Sequence, residues 1–231
     1  MIINLEKMIS SDKNIEKVEL KNAFSTPILM IMVNDSNAIN KSLKKIILNR
    51  EKKEPKKLSY SSNIGGWHSE RDFLKWGNKS GSKIIEKAIY LANTITMDRN
   101  GRNVDIEWQI NAWANINRKG NSNEFHIHPG SFLSGVYFVD DGGCAENKSF
   151  GGEFVIMDPR GSAPSMYAPS LCFRSPGGNA LGATELLSPR SGVMILFPSW
   201  LSHAVRPYYG NSERISISFN LSLPREIDSE K

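Results

Sequence analysis

From Asn103 to Asn117 apolar and polar residues alternate without a break. Val104, Ile106, Trp108, Ile110, Ala112, Ala114 and Ile116 fall on one side, and Asp105, Glu107, Gln109, Asn111, Trp113, Asn115 and Asn117 on the other. A period of two over that length predicts a strand whose aliphatic side packs on a core, while its amide-rich side looks at water or into a polar cavity. The pattern returns near the end, where Ile215, Ile217, Phe219 and Leu221 alternate with Arg214, Ser216, Ser218 and Asn220. Between the two lie shorter strands around residues 125–128, 133–139, 152–157, 193–198 and 204–207, separated by turn residues at 140–143, 158–161 and 188–192. Short strands with frequent turns and no intervening helices predict an antiparallel barrel or jelly roll.

The first hundred residues read differently. Residues 26–33 form an apolar run that predicts a buried strand, and Asp35 stands where it would cap a helix carrying Ile39, Leu43, Ile46 and Ile47 at helical spacing. Residues 52–66 are polar and read as a loop, with His68 just beyond as a further loop residue. A second helix over 81–97 carries Ile84, Ile85, Ala88, Ile89, Leu91, Ala92 and Ile95 as a broad apolar stripe fit to pack on a sheet. We therefore expect a single domain, with residues 1–102 as an N-terminal strand and helical cover and 103–224 as the β core. The Gly- and Ser-rich segments 142–152 and 161–185 read as long loops of the kind that close over a barrel mouth.

Composition narrows the classes. The chain of 231 residues is 39% apolar and 23% charged, which suits a globular protein and argues against wholesale disorder. No apolar run has the length of a membrane span, and the first residues lack a basic start followed by an apolar core, so the cytoplasm is the expected compartment and no membrane partner is expected. The net charge of +5 concentrates in residues 41–57, a helix face and its trailing loop without interleaved aromatics, and so predicts a solvated surface rather than a nucleic-acid site. Cys144 and Cys172 have no metal-ligand spacing and are expected to be a reduced pair. Oligomeric state stays open, with a homodimer as one alternative.

Chemistry gathers around the four histidines. His126 and His128 are separated by one residue, which in an extended strand points both imidazoles to one face, about 6.6 Å apart along the backbone. His203 comes from a distant strand, and an imidazole pair plus a third from elsewhere is how a sheet holds a metal from one side while leaving the other open. Eleven residues beyond His203 stand Arg214 and Ser216, which share a face of the last strand. An inward guanidinium needs an anion, and its planar fork suits a carboxylate, with the Ser216 hydroxyl as a third donor.

These stretches resemble the Fe(II)- and 2-oxoglutarate-dependent oxygenases, in particular a subgroup found in marine bacteria and their phages. The resemblance runs through His126-Ile127-His128-Pro129, Ser134-Gly135-Val136-Tyr137-Phe138, Gly151-Gly152-Glu153-Phe154, Phe197-Pro198 with His203, and Arg214-Ile215-Ser216. It implies a double-stranded β-helix, with His126 and His203 as metal ligands and Arg214 with Ser216 anchoring 2-oxoglutarate, while His128 is the third metal ligand expected from its spacing to His126. Tyr137, Asn115 and Asn117 are further candidates for lining the cosubstrate pocket. The implied activity couples oxidative decarboxylation of 2-oxoglutarate, using Fe(II) and O2, to hydroxylation of a small molecule or protein side chain. His128 stands where the wider family has a carboxylate, so Asp140, Asp141 and Asp158 remain alternatives for that position. Two rival readings stay open: a three-histidine cupin-like dioxygenase without 2-oxoglutarate, and a non-catalytic metal-stabilised binding module.

Overall fold

The computed structural model describes residues 24–55, 62–161 and 184–224. Its contacts divide the chain into two units, one of residues 27–156 with 186–231 and the other of residues 1–26 with 157–185. In the second unit little is described beyond a turn in which Asp158 accepts hydrogen bonds from the backbone and guanidinium of Arg160. Cys172, the Gly177-Gly178 pair and most of the 161–185 loop lie outside the described residues.

Two antiparallel sheets make the larger unit, a jelly-roll arrangement in which residues of both meet in a shared apolar cluster. The six-stranded sheet contains β1 (Leu29–Met32), β3 (Trp67–His68), β4 (Gln109–Asn117), β6 (Leu133–Asp140), β9 (Val193–Pro198) and β11 (Arg214–Ser222), in the order β1-β9-β6-β11-β4-β3. The five-stranded sheet contains β2 (Asn63–Ile64), β5 (Ser122–His126), β7 (Phe154–Met157), β8 (Thr184–Leu187) and β10 (His203–Val205), in the order β2-β5-β10-β7-β8. Among the described residues three helices precede β4: α1 (Ser36–Lys53), the single turn α2 (Phe73–Trp76) and α3 (Asn78–Ile95).

The two long alternating strands are neighbours, with β11 pairing β4 from Arg214↔Asn117 to Ser222↔Gln109. That register explains why β4 starts at Gln109 although the alternation begins six residues earlier. β11 ends opposite Gln109, so nothing prolongs the ladder, and the Trp108 indole instead donates to the Asn93 side chain of α3 at 2.7 Å. The aliphatic faces of both strands enter one core with the helices: Ala112, Ala114, Ile116, Ile215, Ile217, Phe219 and Leu221 pack with Leu43 and Ile47 of α1 and Ile84, Ile85, Ala88 and Ala92 of α3. Each large aliphatic side chain so buried contributes roughly 1.5–3 kcal/mol relative to exposure.

Three expectations change. Within the 26–33 run, Leu29–Met32 is an edge strand with Met30 and Met32 each 47% exposed, since among the described residues β1 pairs only with β9. Asp35 precedes α1 in the left-handed region (φ 55°) without a side-chain cap bond. A capping residue needs extended dihedrals to aim its oxygen at the first free N–H groups, and Asp35 is instead used to turn the chain out of β1. The 142–152 segment is a packed corner rather than an open lid, holding a short 3-10 turn (Lys148–Phe150) and fastened where the Tyr208 hydroxyl donates to the Gly142 carbonyl at 2.7 Å. Among the described residues no helix is long and apolar enough to cross a membrane.

Candidate metal centre

Strand pairing brings the histidines together. His126 closes β5, His203 opens β10, and the antiparallel ladder sets the two directly opposite each other. His128 lies two residues past the end of β5, where its backbone N–H donates to the Ser199 carbonyl at 2.9 Å. The alternation of β5 continues through that point: Phe125 and Ile127 point outward, 46% and 47% exposed, and both imidazoles point in. Ring centroids are 4.3 Å apart for His126 and His203, 5.0 Å for His126 and His128, and 5.1 Å for His128 and His203. One nitrogen from each ring lies within 4.8 Å of the others.

Two of the rings are held by their own loops. His126 Nδ1 donates to the Glu124 carbonyl and His203 Nδ1 to the Leu201 carbonyl, both at 2.8 Å, so each Nε2 carries the lone pair. Burial lowers all three pKa values, His128 to about 4 and His203 to about 3, with mutual repulsion between the rings adding to the effect for those two. Neutral imidazoles are the form that ligates a metal. Phe154 and Phe197 wall His203 at 5.3 and 4.7 Å between centroids, and they belong to the apolar cluster shared by the two sheets.

Arg214 occupies the same inter-sheet space. It is fully buried, its Cζ sits 5.2 Å above the Phe138 ring, and Phe138 is in that same cluster. Its Nε has no hydrogen-bond partner, and among the described residues no carboxylate forms an ion pair with it. Burial pushes the guanidinium down to about 10, yet it remains a cation at neutral pH. The nearby Cys144 thiol does not supply an anion, since burial raises it to about 11. Gly152 permits the close approach: a Cβ there would lie 3.2 Å from Arg214 Cδ and 3.3 Å from its Nε. Across the ladder Arg214 faces Asn117 and Ser216 faces Asn115, so all four side chains project from one side of the sheet. Asn115 donates to Ser218 Oγ at 3.0 Å.

Tyr137 is not part of that group. On β6 it is followed and preceded by Phe138 and Val136, which face the second sheet, so its own side chain points the other way, under α1, where its hydroxyl donates to Asn40 Oδ1 at 2.6 Å. The acids considered as alternatives to His128 are engaged elsewhere. Asp140 pairs with Lys44 at 2.6 Å, Asp141 accepts from Gly143 N and from both the backbone and hydroxyl of Ser191, and Asp158 holds Arg160. The fourth histidine is not a loop residue but part of β3, buried and stacked on Trp113 at 5.5 Å. Burial lowers its pKa to about 4, so this ring too is neutral. Trp113, in turn, lies 5.9 Å from His128. The sequence did carry a trace of this, since Trp113 is the lone aromatic on the amide-bearing side of β4.

Comparison with known proteins places this arrangement. Residues 111–220 match the family model described as putative 2OG-Fe(II) oxygenase. No curated protein is similar enough in sequence to match the chain. Among solved structures, the prolyl-4-hydroxylase of Pseudomonas putida is similar with a TM-score of 0.60 and 13% identity, over 87% of this chain and 94% of that one. A prolyl hydroxylase from Trichoplax adhaerens, in complex with a hypoxia inducible factor peptide fragment, gives 0.58 and 15% over 89% of each chain. HygX from Streptomyces hygroscopicus, with nickel and 2-oxoglutarate bound, gives 0.54 and 11% over 87% of this chain and 84% of that one. The fold is thus the double-stranded β-helix, and residues 111–220 of the β core are similar to the 2OG-Fe(II) oxygenase family. That family uses Fe(II), 2-oxoglutarate and O2. The side chains present fit such a set: three neutral imidazoles for a divalent ion, and a buried cation with an unsatisfied N–H for a carboxylate.

Proposed function

We propose that the protein couples oxidative decarboxylation of 2-oxoglutarate to hydroxylation of a C–H bond in a small molecule or a protein side chain, in the cytoplasm. The observation that carries this reading is the buried, unpaired guanidinium of Arg214 in the same inter-sheet space as the histidine triad. An isolated buried cation costs several kcal/mol, and a bound diacid would relieve that cost through charge-assisted hydrogen bonds. Arg214 and Ser216 would take the far carboxylate, with Asn115 and Asn117 beside them on the same face. His126, His128 and His203 would hold Fe(II), which when bound supplies the O2-activating redox chemistry that no side chain here can provide. Three neutral ligands leave the ion's full double charge in place, which strengthens its hold on a dianionic cosubstrate. Phe138 beside Arg214, and Phe154 and Phe197 beside His203, belong to one apolar cluster, a surrounding that would favour exclusion of water once the cosubstrate is bound.

The test is consumption of 2-oxoglutarate by anaerobically purified protein given Fe(II), with succinate and CO2 measured after air is admitted. Succinate formed in step with 2-oxoglutarate loss supports the reading. O2 uptake without succinate would favour a dioxygenase that needs no 2-oxo acid, and metal binding with neither would favour a non-catalytic module.

A further inference from the structure

The three ligand rings are not supported alike. The Nδ1 atoms of His126 and His203 are fixed by carbonyls two residues upstream in their own segments, whereas among the described residues no hydrogen bond fixes the ring of His128. His128 also lies beyond the end of β5, held through its backbone by the bond to Ser199. Its side chain has the Trp113 indole beside it, centroids 5.9 Å apart and planes at 56°. Trp113 is buried on the central part of β4, which is paired along its length with β11. Behind it the His68 ring stacks nearly parallel, 5.5 Å away and 15° off plane, with its Nδ1 donating to the Ser69 carbonyl. The Arg71 guanidinium also lies over the indole, Cζ 5.5 Å from the centroid.

We propose that Trp113 is the positioning residue for His128, doing for this ligand by ring contact what carbonyl hydrogen bonds do for the other two, with His68 as its backing. This rests on the three-histidine metal reading above. The physical reason is the cost of ordering a ligand at the moment of binding: a ring confined before the ion arrives loses less rotamer freedom than one that turns freely. It also assigns a role to the fourth histidine that no ligation requires. His68 is not in the nitrogen cluster of the other three, and its buried ring, stacked on Trp113 from β3, is a wall for the indole.

Titration of the metal-free protein with Co(II), followed by visible absorption, tests this, with the melting temperature of the metal-free form measured in parallel. Trp113→Leu is expected to weaken Co(II) binding about tenfold and to change the visible bands, as loss of a ligand's outer support does elsewhere. Trp113→Phe, which keeps a ring against His128, should stay within about twofold of wild type, and His68→Gln should fall between the two. Variants that melt earlier but retain wild-type Co(II) affinity and spectrum would show a purely structural tryptophan and overturn the proposal. If Trp113→Leu does not fold, His68→Gln decides on the same two readouts. Wild-type protein that binds Co(II) but makes no succinate would sink the oxygenase reading alone, while failure of wild-type protein to bind Co(II) would overturn both.

Discussion

The two faces of the six-stranded sheet are made by the same strands and do opposite things. On the helix side, Ile215, Ile217, Phe219 and Leu221 of β11 are buried with Ala112, Ala114 and Ile116 of β4, and the polar group among them, the Tyr137 hydroxyl, is satisfied by Asn40. One residue along each strand, the other face buries Arg214, Ser216 and Asn117, and there a cation is left without an anion. The lesson is that β4 and β11 separate stability from function by parity alone. The outer face lowers the free energy of the fold, and the inner face holds polar groups in a geometry that becomes favourable only with ligands bound.

That contrast can be broken by substitution. His203→Ala removes a ligand outright, and Co(II) affinity should fall by more than the roughly hundredfold that loss of an outer-shell partner costs, with little change in the melting of the metal-free protein. Ile217→Ala, on the other face, is expected to cost about 2–5 kcal/mol in urea unfolding while leaving the Co(II) dissociation constant in place, because it empties a fully buried site in the helix-covered core. Arg214→Met should raise the 2-oxoglutarate concentration for half-maximal succinate formation at least about tenfold, equivalent to roughly 1.4 kcal/mol, and should leave the ligand-free protein no less stable, since an uncompensated buried charge is gone. An unchanged 2-oxoglutarate requirement would remove the carboxylate anchor from the argument. The smallest effect belongs to Tyr137→Phe, about 1 kcal/mol of stability from leaving the Asn40 oxygen unpaired, with no change in cosubstrate requirement. A large rise in that requirement would return Tyr137 to the site.

How much of this was legible depends on how each strand is buried. On β4 and β11 one side is aliphatic and the other polar, so the sequence alone says which residues share a face. Residues 133–139 offer no such contrast: β6 lies between β11 and β9 and is covered on both sides, so Val136, Tyr137 and Phe138 look alike in sequence while facing different cores. The resemblance offers Tyr137 as a pocket candidate, and no pattern in β6 argues against it. His68 reads as a loop residue because β3 is two residues long and exists only by pairing with Ile116 and Asn115 of β4. A strand so short has no period to read.

What the chain determines by itself is local: the period of two that aligns His126 with His128 and Arg214 with Ser216, and the helical stripe of α3 that requires a sheet to cover. The tertiary structure alone decided that His203 stands opposite His126, that Arg214 is buried with its Nε unpartnered, and that Trp113 meets both His68 and His128. Periodicity is a property of neighbours a few residues apart. Register between strands separated by some eighty residues is set by how the whole set of faces packs, and no single segment contains it.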